Sequence, residues 1–158
     1  MRSKDTSGHS TVQTLVESEF RTLLKKYYGE IKSKKINLTD GTSVVVDGVD
    51  NNNNIFVEIY SHQGNLGPGQ RKKILTDLFK LMIIKYDKNV ATNKYIYVFA
   101  NNKIESYLTR NSWASHAVKI FGIILKNVTA GLSDETKNRL LLTQSHQATH
   151  RKNKIIKT

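Results

Sequence analysis

The chain has 158 residues, 38% of them hydrophobic and 24% charged, with a formal net charge of +12 at pH 7. This length supports one hydrophobic core but not two. No apolar run approaches the roughly 20 residues of a membrane-spanning helix, and the polar start Met1–Asp5 lacks a signal-peptide apolar region. The sequence therefore predicts a single-domain cytoplasmic protein that does not enter a membrane.

The absence of cysteine and the excess of positive charge restrict the possible ligands. Without thiolates, a metal must be held by oxygen or imidazole, which favours Mg²⁺ or Mn²⁺ over structural zinc. A strongly basic protein attracts polyanions, nucleic acid first and an anionic membrane surface second. A lysine-rich composition from an AT-biased genome would give the same charge, so charge alone leaves the function open.

The first half of the chain predicts a helix followed by a meander of three strands. Apolar residues recur at helical spacing over Val12–Tyr27, with Ser10 as N-cap and Gly29 at the C-terminal cap. Residues 1–9 are predicted to be disordered. Turns rich in Asp, Asn and Gly separate the predicted strands. These strands are Lys34–Leu38, Ser43–Val49 and Ile55–Tyr60.

The second half alternates helices and strands. Pro68 leads from a glycine-rich loop into a long helix that reaches about Tyr86. The near-continuous apolar run Tyr95–Ala100 predicts a central strand covered on both faces. Further elements are predicted at Ile104–Leu108 (helix), Ser112–Phe121 (helix), Ile123–Val128 (strand) and after Ser133 (helix). Trp113 is predicted to be part of the core.

This order predicts an α/β fold in which a mixed central sheet, begun by the three-stranded meander, is flanked by helices. The domain is predicted to span residues 10–148. A flexible basic tail is predicted over residues 149–158, which contain Arg151, Lys152, Lys154 and Lys157.

Two acids interrupt the apolar pattern of neighbouring strands. If the second hairpin is symmetric about its asparagine-rich turn, Asp47 lies opposite Glu58, with Cβ atoms roughly 4.5–5.5 Å apart. Two carboxylates at that distance repel each other unless a cation lies between them, and a divalent cation bound by both is one solution. A solvated pair, or a pair neutralised by a nearby lysine, is the alternative.

The second helix carries polar residues at steps of three or four, namely Gln70, Lys73, Asp77 and Lys80. Such a stripe opposite the apolar face indicates a solvated side. However, this helix follows directly on the strand that carries Glu58, so its start should return toward the carboxylates. Gln63, Gln70 and Lys73 are the candidates to support a water and a phosphate there, with Lys72 as the alternative lysine.

The first helix offers a third acid beside its buried face. The apolar arc is centred near Val16 and Leu23, with Glu19 inside it and Glu17 at its edge. Because a partly buried acid needs a partner, either residue could contribute to a metal site. Periodicity favours Glu19.

The segment Ser10–Asn101 resembles the PD-(D/E)XK nuclease-like superfamily, whose restriction-endonuclease-like core is a helix, a three-stranded meander, a helix and a strand. The two strand acids of that family are similar to Asp47 in Val-Asp-Gly and Glu58 in Val-Glu-Ile-Tyr. Its helix acid, followed by apolar residues three, six and seven positions later, resembles Glu17. The resemblance thus favours Glu17 over Glu19.

The sequence departs from the family pattern at two points. The lysine expected two residues after the second acid is Tyr60, and no proline precedes the first acid. Some relatives carry the lysine on the following helix, and Lys73 resembles such a residue. The segment from His62 through Gln70 and Asp77 is also similar to a group of uncharacterised bacterial proteins with this predicted fold.

The resemblance implies a metal-dependent nuclease acting on DNA in preference to RNA, and it is compatible with a homodimer. The residues implied are Asp47, Glu58 and Glu17 as Mg²⁺ or Mn²⁺ ligands, and Lys73, Gln70 and Gln63 around the attacking water and the phosphate. Because Tyr60 replaces the usual lysine, a non-catalytic nucleic-acid-binding protein is the alternative. A structural subunit whose charge serves only solubility is a third interpretation.

Overall fold

The computed structural model describes the backbone of residues 7–62, 64–140 and 142, and the side chains of these residues from 14 onward. The elements are α1 (Ser7–Tyr28), β1 (Ile31–Asn37), β2 (Ser43–Asp50), β3 (Ile55–Tyr60), α2 (Pro68–Lys88), β4 (Lys94–Phe99), α3 (Asn102–Thr109), α4 (Trp113–Ile120) and β5 (Ile124–Asn127). A 3₁₀ turn at Thr129–Gly131 precedes a helix over 134–140. None of the described helices combines the length and apolar character that crossing a bilayer requires.

The predicted α/β class with a mixed, helix-flanked sheet is confirmed. The five strands lie in the order β1-β2-β3-β4-β5. The first three form an antiparallel meander, whereas β4 runs parallel to β3 and β5 parallel to β4. Strand β4 is interior, as predicted, and its residues from Tyr95 to Phe99 are all buried. Alternate residues of β4 therefore pack against α1 on one face and α2 on the other.

Turns and caps account for most element boundaries. Gly29 ends α1 with φ +78°, and Gly41 turns the first hairpin with φ +85°, a region that favours glycine. In the second hairpin, the Asp50 carboxylate accepts the backbone N–H groups of Asn54 and Ile55, both at 2.7 Å. The predicted cap of the last helix is confirmed, because Ser133 Oγ accepts the N–H of the residue three positions later at 3.2 Å.

Two predictions about the helices are wrong. Helix α1 begins at Ser7 and not after an N-cap at Ser10, so it starts within the segment predicted to be disordered. Trp113 is 71% exposed and is not part of the core. Helix α4 turns Ala114 and Val118 inward, which leaves its first residue on the outer surface.

A β-bulge distorts β2 where it carries Asp47. Lys32 pairs with Val49 and Lys34 with Val46, so Asp47 and Gly48 together face a single residue of β1. Bulges of this kind bend a strand and change the direction in which its side chains point. The bulge depends on glycine, because a Cβ atom at Gly48 would lie 2.1 Å from Cγ2 of Ile31.

We expect Gly48→Ala to lower the free energy of unfolding by about 2 kcal/mol, since the branched Ile31 side chain must move out of its packing position. Chemical denaturation with urea measures the change. Gly69→Ala is the matched control, because a Cβ there meets nothing within 4 Å, and it should not lower stability. Equal effects of the two substitutions would contradict a packing role for Gly48.

Candidate active site

The hairpin of β2 and β3 has the register expected from its symmetry. Gly48 pairs with Val57 and Val49 with Phe56, which puts Asp47 and Glu58 at the next position of the ladder. The regular backbone pairing ends there. Instead, Oδ2 of Asp47 accepts the backbone N–H of Ile59 at 2.9 Å. This bond anchors the Asp47 carboxylate at the point where the two strands separate.

Glu58 is fully buried on the face of the sheet that is covered by α2. Both of its carboxylate oxygens accept hydrogen bonds from Lys80 Nζ, each at 3.1 Å. Burial raises the pKa of Glu58 to about 8; the negative charges of Asp47 and Asp77 add to this rise, while Lys80 opposes it. The ionised carboxylate is therefore costly unless positive charge is close to it.

Asp77 is a second fully buried carboxylate, supplied by α2. It forms an ion pair with Lys73 one turn earlier, and Lys80 Nζ lies 3.8 Å from its Oδ1. Burial raises the pKa of Asp77, against the opposing effect of both lysines. The polar stripe of α2 is thus not on a solvated side at this position, because it turns toward the acid of β3.

A pocket of about 340 Å³ opens between α1, the end of the meander and the start of α2. Four of the predicted site residues line it, namely Glu17, Asp47, Gln70 and Lys73. Ser61 Oγ donates to Oε1 of Glu17 at 3.4 Å, and Arg21 donates to the backbone carbonyl of Asp47 at 3.4 Å. Gln63, the remaining candidate on the preceding loop, lies outside the described residues. The structure thus gathers side chains from three separate elements around one concave surface.

The two acids of α1 point to different parts of the molecule. Glu17 lines the pocket, whereas Glu19 accepts the backbone N–H of Ser133 at 2.7 Å, at the start of the last helix. Burial tends to raise the pKa of Glu19, but hydrogen bonds from Thr136 and Ser133 prevail and lower it. Glu19 therefore has the partner that an acid beside a buried face requires. This partner is Ser133, and the bond joins α1 to the start of the last helix.

Two residues next to the carboxylates were not among the predicted site residues. Lys80, and not Lys73, is the lysine that binds Glu58, and Asp77 connects the two lysines. The polar stripe of α2, with its steps of three and four residues, already indicated this cluster. An acid flanked by lysines at i−4 and i+3 indicates an ion-pair cluster, which the rotation of α2 directs at the sheet.

The carboxylates suit a hard divalent cation in donor type and in charge. Four acids, Glu17, Asp47, Glu58 and Asp77, supply only oxygen ligands, the kind that Mg²⁺ and Mn²⁺ prefer. The pKa of Glu58 stays raised although Lys80 binds both of its oxygens, so the lysine does not fully offset burial and repulsion. Among the described side chains, however, no three acids or histidines converge closely enough to form a complete metal site.

Comparison of the chain with models of known protein families, with curated proteins and with solved structures finds no match.

Proposed function

We propose that the protein is a metal-dependent nuclease that hydrolyses phosphodiester bonds in DNA. The observation that carries this proposal is the meeting of Asp47 and Glu17 in one pocket, next to the buried and repelled carboxylate of Glu58. The element order and the parallel pairing of β4 with β3 support a nuclease of the PD-(D/E)XK type. Within that type, the chain is a variant in which α2 supplies the lysines.

Asp47 and Glu58 are the residues that would hold Mg²⁺ or Mn²⁺, with Glu17 as a further acid at the pocket. When bound, the ion supplies Lewis-acid polarisation of a phosphoryl oxygen and neutralises developing negative charge. Lys73 and Gln70 line the same pocket and can donate hydrogen bonds to a phosphate. Hydrolysis then joins a water oxygen to phosphorus, breaks one phosphorus–oxygen ester bond and returns a proton to the leaving oxygen.

Asp77 serves as a positioning residue in this proposal. It is buried between Lys73 and Lys80, so it holds one lysine toward the pocket and the other against Glu58. Before an ion binds, Lys80 supplies the positive charge next to the Glu58 carboxylate. Replacement of the lysine by the cation would then relieve the repulsion between the two strand acids.

A non-catalytic nucleic-acid-binding protein is the second candidate, and one observation favours it. Lys80 already binds both oxygens of Glu58, which gives the acids a cation from within the chain. Tyr60 also stands where the superfamily pattern has its lysine. In this alternative the fold and the basic charge remain, and loss of Asp47 or Glu58 leaves DNA binding intact.

Calorimetric titration with Mg²⁺ and Mn²⁺, together with cleavage of plasmid and single-stranded DNA, separates the two candidates. The wild type is expected to bind the ion and cut DNA, and Asp47→Asn/Glu58→Gln should lose both properties. Glu19→Gln is the matched control, because Glu19 contacts Ser133 and lies away from the pocket. A wild type that binds DNA without binding either metal would replace the nuclease proposal with the binding protein.

A further inference from the structure

A second concave surface lies on the outer side of α2, between this helix, α3 and α4. We call it the aromatic groove and define it by Arg71, Lys72, Phe79, Tyr107 and Trp113; its volume is about 590 Å³. We infer that the aromatic groove binds a single-stranded segment of the DNA substrate and leads it to the pocket of Asp47. The identity of this ligand as substrate rests on the proposed nuclease function.

The groove presents large rings to solvent. Phe79 is 62% exposed and Trp113 is 71% exposed, and the apolar side chains of Leu75 and Met82 line the same groove. An exposed apolar patch of this kind marks an interaction site. Every nucleobase has a π face that can stack on such rings, so binding of a single strand needs no particular base sequence.

The charge of the groove indicates which class of ligand could bind to these aromatic rings. Among the described residues that line the groove, the charged ones are Arg71 and Lys72, both basic, and none is a carboxylate. Arg71 Nε donates to the carbonyl of Leu66 at 3.2 Å, and its guanidinium lies 5.4 Å from the centre of the Tyr107 ring. The arginine is therefore held in one orientation beside the stacking surfaces.

Rings next to fixed positive charge suit a polymer that offers bases and phosphates together. A symmetric contact through the groove of a second copy would instead put the same basic patch on both sides of the interface, without a carboxylate from either groove to neutralise it. Double-stranded DNA would satisfy the charges but not the rings, because each base pair of a duplex is stacked between its neighbours and offers no free face. Unpaired nucleotides satisfy both.

The groove and the pocket meet at the first turn of α2. Pro68 lines the groove, and the next residue, Gly69, lines the pocket. One turn later, Lys72 lines the groove and Lys73 lines the pocket. A helix with its side chains is about 10 Å wide, so a strand crosses this boundary within a few nucleotides. Gly69 has no side chain, which keeps the ridge between the two surfaces low.

The test uses Trp113, the only tryptophan of the chain, as an intrinsic fluorophore. The full chain in EDTA is titrated with a thymidine oligonucleotide of about 12 nucleotides. An abasic oligonucleotide with the same phosphates and a duplex of the same length are titrated in parallel. Saturable quenching by the thymidine strand is expected, with weaker quenching by the abasic strand and the duplex.

Fluorescence anisotropy of a labelled oligonucleotide extends the test to variants without the tryptophan. Trp113→Ala and Phe79→Ala should each raise the Kd for the thymidine strand about tenfold, within the range of a lost base stack. The Kd for the duplex should change less than about twofold, because no stack is lost there. Tyr86→Ala is the matched control, since Tyr86 is an exposed aromatic residue of α2 outside the groove lining, and it should leave both values unchanged.

Equal quenching by the thymidine and abasic strands would overturn the inference, and so would groove variants that bind the thymidine strand normally. Loss of a dimer in Trp113→Ala by sedimentation, without quenching in the wild type, would overturn it in favour of self-association.

Cleavage assays separate this proposal from the proposed function. If single-stranded DNA stacks in the groove but the wild type does not cut it, the groove proposal is supported and the nuclease proposal is rejected. If the groove variants cut single-stranded DNA as fast as the wild type, the nuclease proposal is supported and the groove proposal is rejected.

Discussion

Lys80→Met is expected to lower the free energy of unfolding by about 2 kcal/mol at pH 9, because Glu58, with its pKa of about 8, is mostly ionised there and loses its ionic partner in the variant. Lys80 is only 27% exposed and binds both oxygens of Glu58, which is fully buried. Without this lysine, the repulsion that Asp47 and Asp77 exert on Glu58 is no longer offset. Urea denaturation at pH 9 measures the loss.

Lys73→Met on the same helix is the matched control. Lys73 is 54% exposed and its buried partner Asp77 keeps a second lysine 3.8 Å away, so the cost should be about 1 kcal/mol or less. The double variant Lys80→Met/Glu58→Gln should regain most of the stability lost in Lys80→Met, because no buried charge then remains unpaired at position 58. A larger loss for Lys73→Met than for Lys80→Met would reject this assignment of the ion pairs.

Glu58→Gln is expected to reduce metal-dependent DNA cleavage by about 10³-fold or more, and at the same time to stabilise the metal-free protein at pH 8 by about 2 kcal/mol. The loss of activity follows from the proposed role of Glu58 as a metal ligand. The gain in stability follows because a neutral amide removes both the burial of a charge and its repulsion by Asp47 and Asp77.

The pH dependence of stability provides a separate measurement. The folded state raises the pKa of Glu58 from 4.5 to about 8, so between these values it retains a proton that the unfolded chain has released. The free energy of unfolding of the wild type should therefore fall as pH rises from about 5 to 8, by roughly 1 kcal/mol per pH unit. The raised pKa of Asp77 acts in the same direction.

Glu58→Gln should flatten this slope, whereas Glu135→Gln, at an exposed glutamate, should retain it. Urea denaturation without divalent ions at several pH values compares the three proteins. A wild type that becomes more stable from pH 5 to 8, with Glu58→Gln weaker at pH 8, would show that Glu58 mainly stabilises the fold through its ion pair.

The order of elements and the hairpin register could be predicted because both depend on local patterns. Periods of 3.6 and 2 in the apolar residues identify the helices and strands, and turn residues such as Asp40-Gly41 mark where strands reverse. The symmetry of the asparagine turn was enough to bring Asp47 opposite Glu58. The parallel pairing of β4 and β5 and the bulge at Gly48 depend on contacts between distant segments, which no local pattern contains.

The residues of the candidate site were likewise predicted only in part. Residue types and spacing alone identified the two strand acids and the stripe on the second helix, because a carboxylate within an apolar strand breaks the pattern. Which acid of α1 reaches the pocket, which lysine binds Glu58 and which side of α4 carries Trp113 were decided by the tertiary structure. These outcomes depend on how each helix is rotated and placed against the sheet, and the packing of all layers together determines that placement.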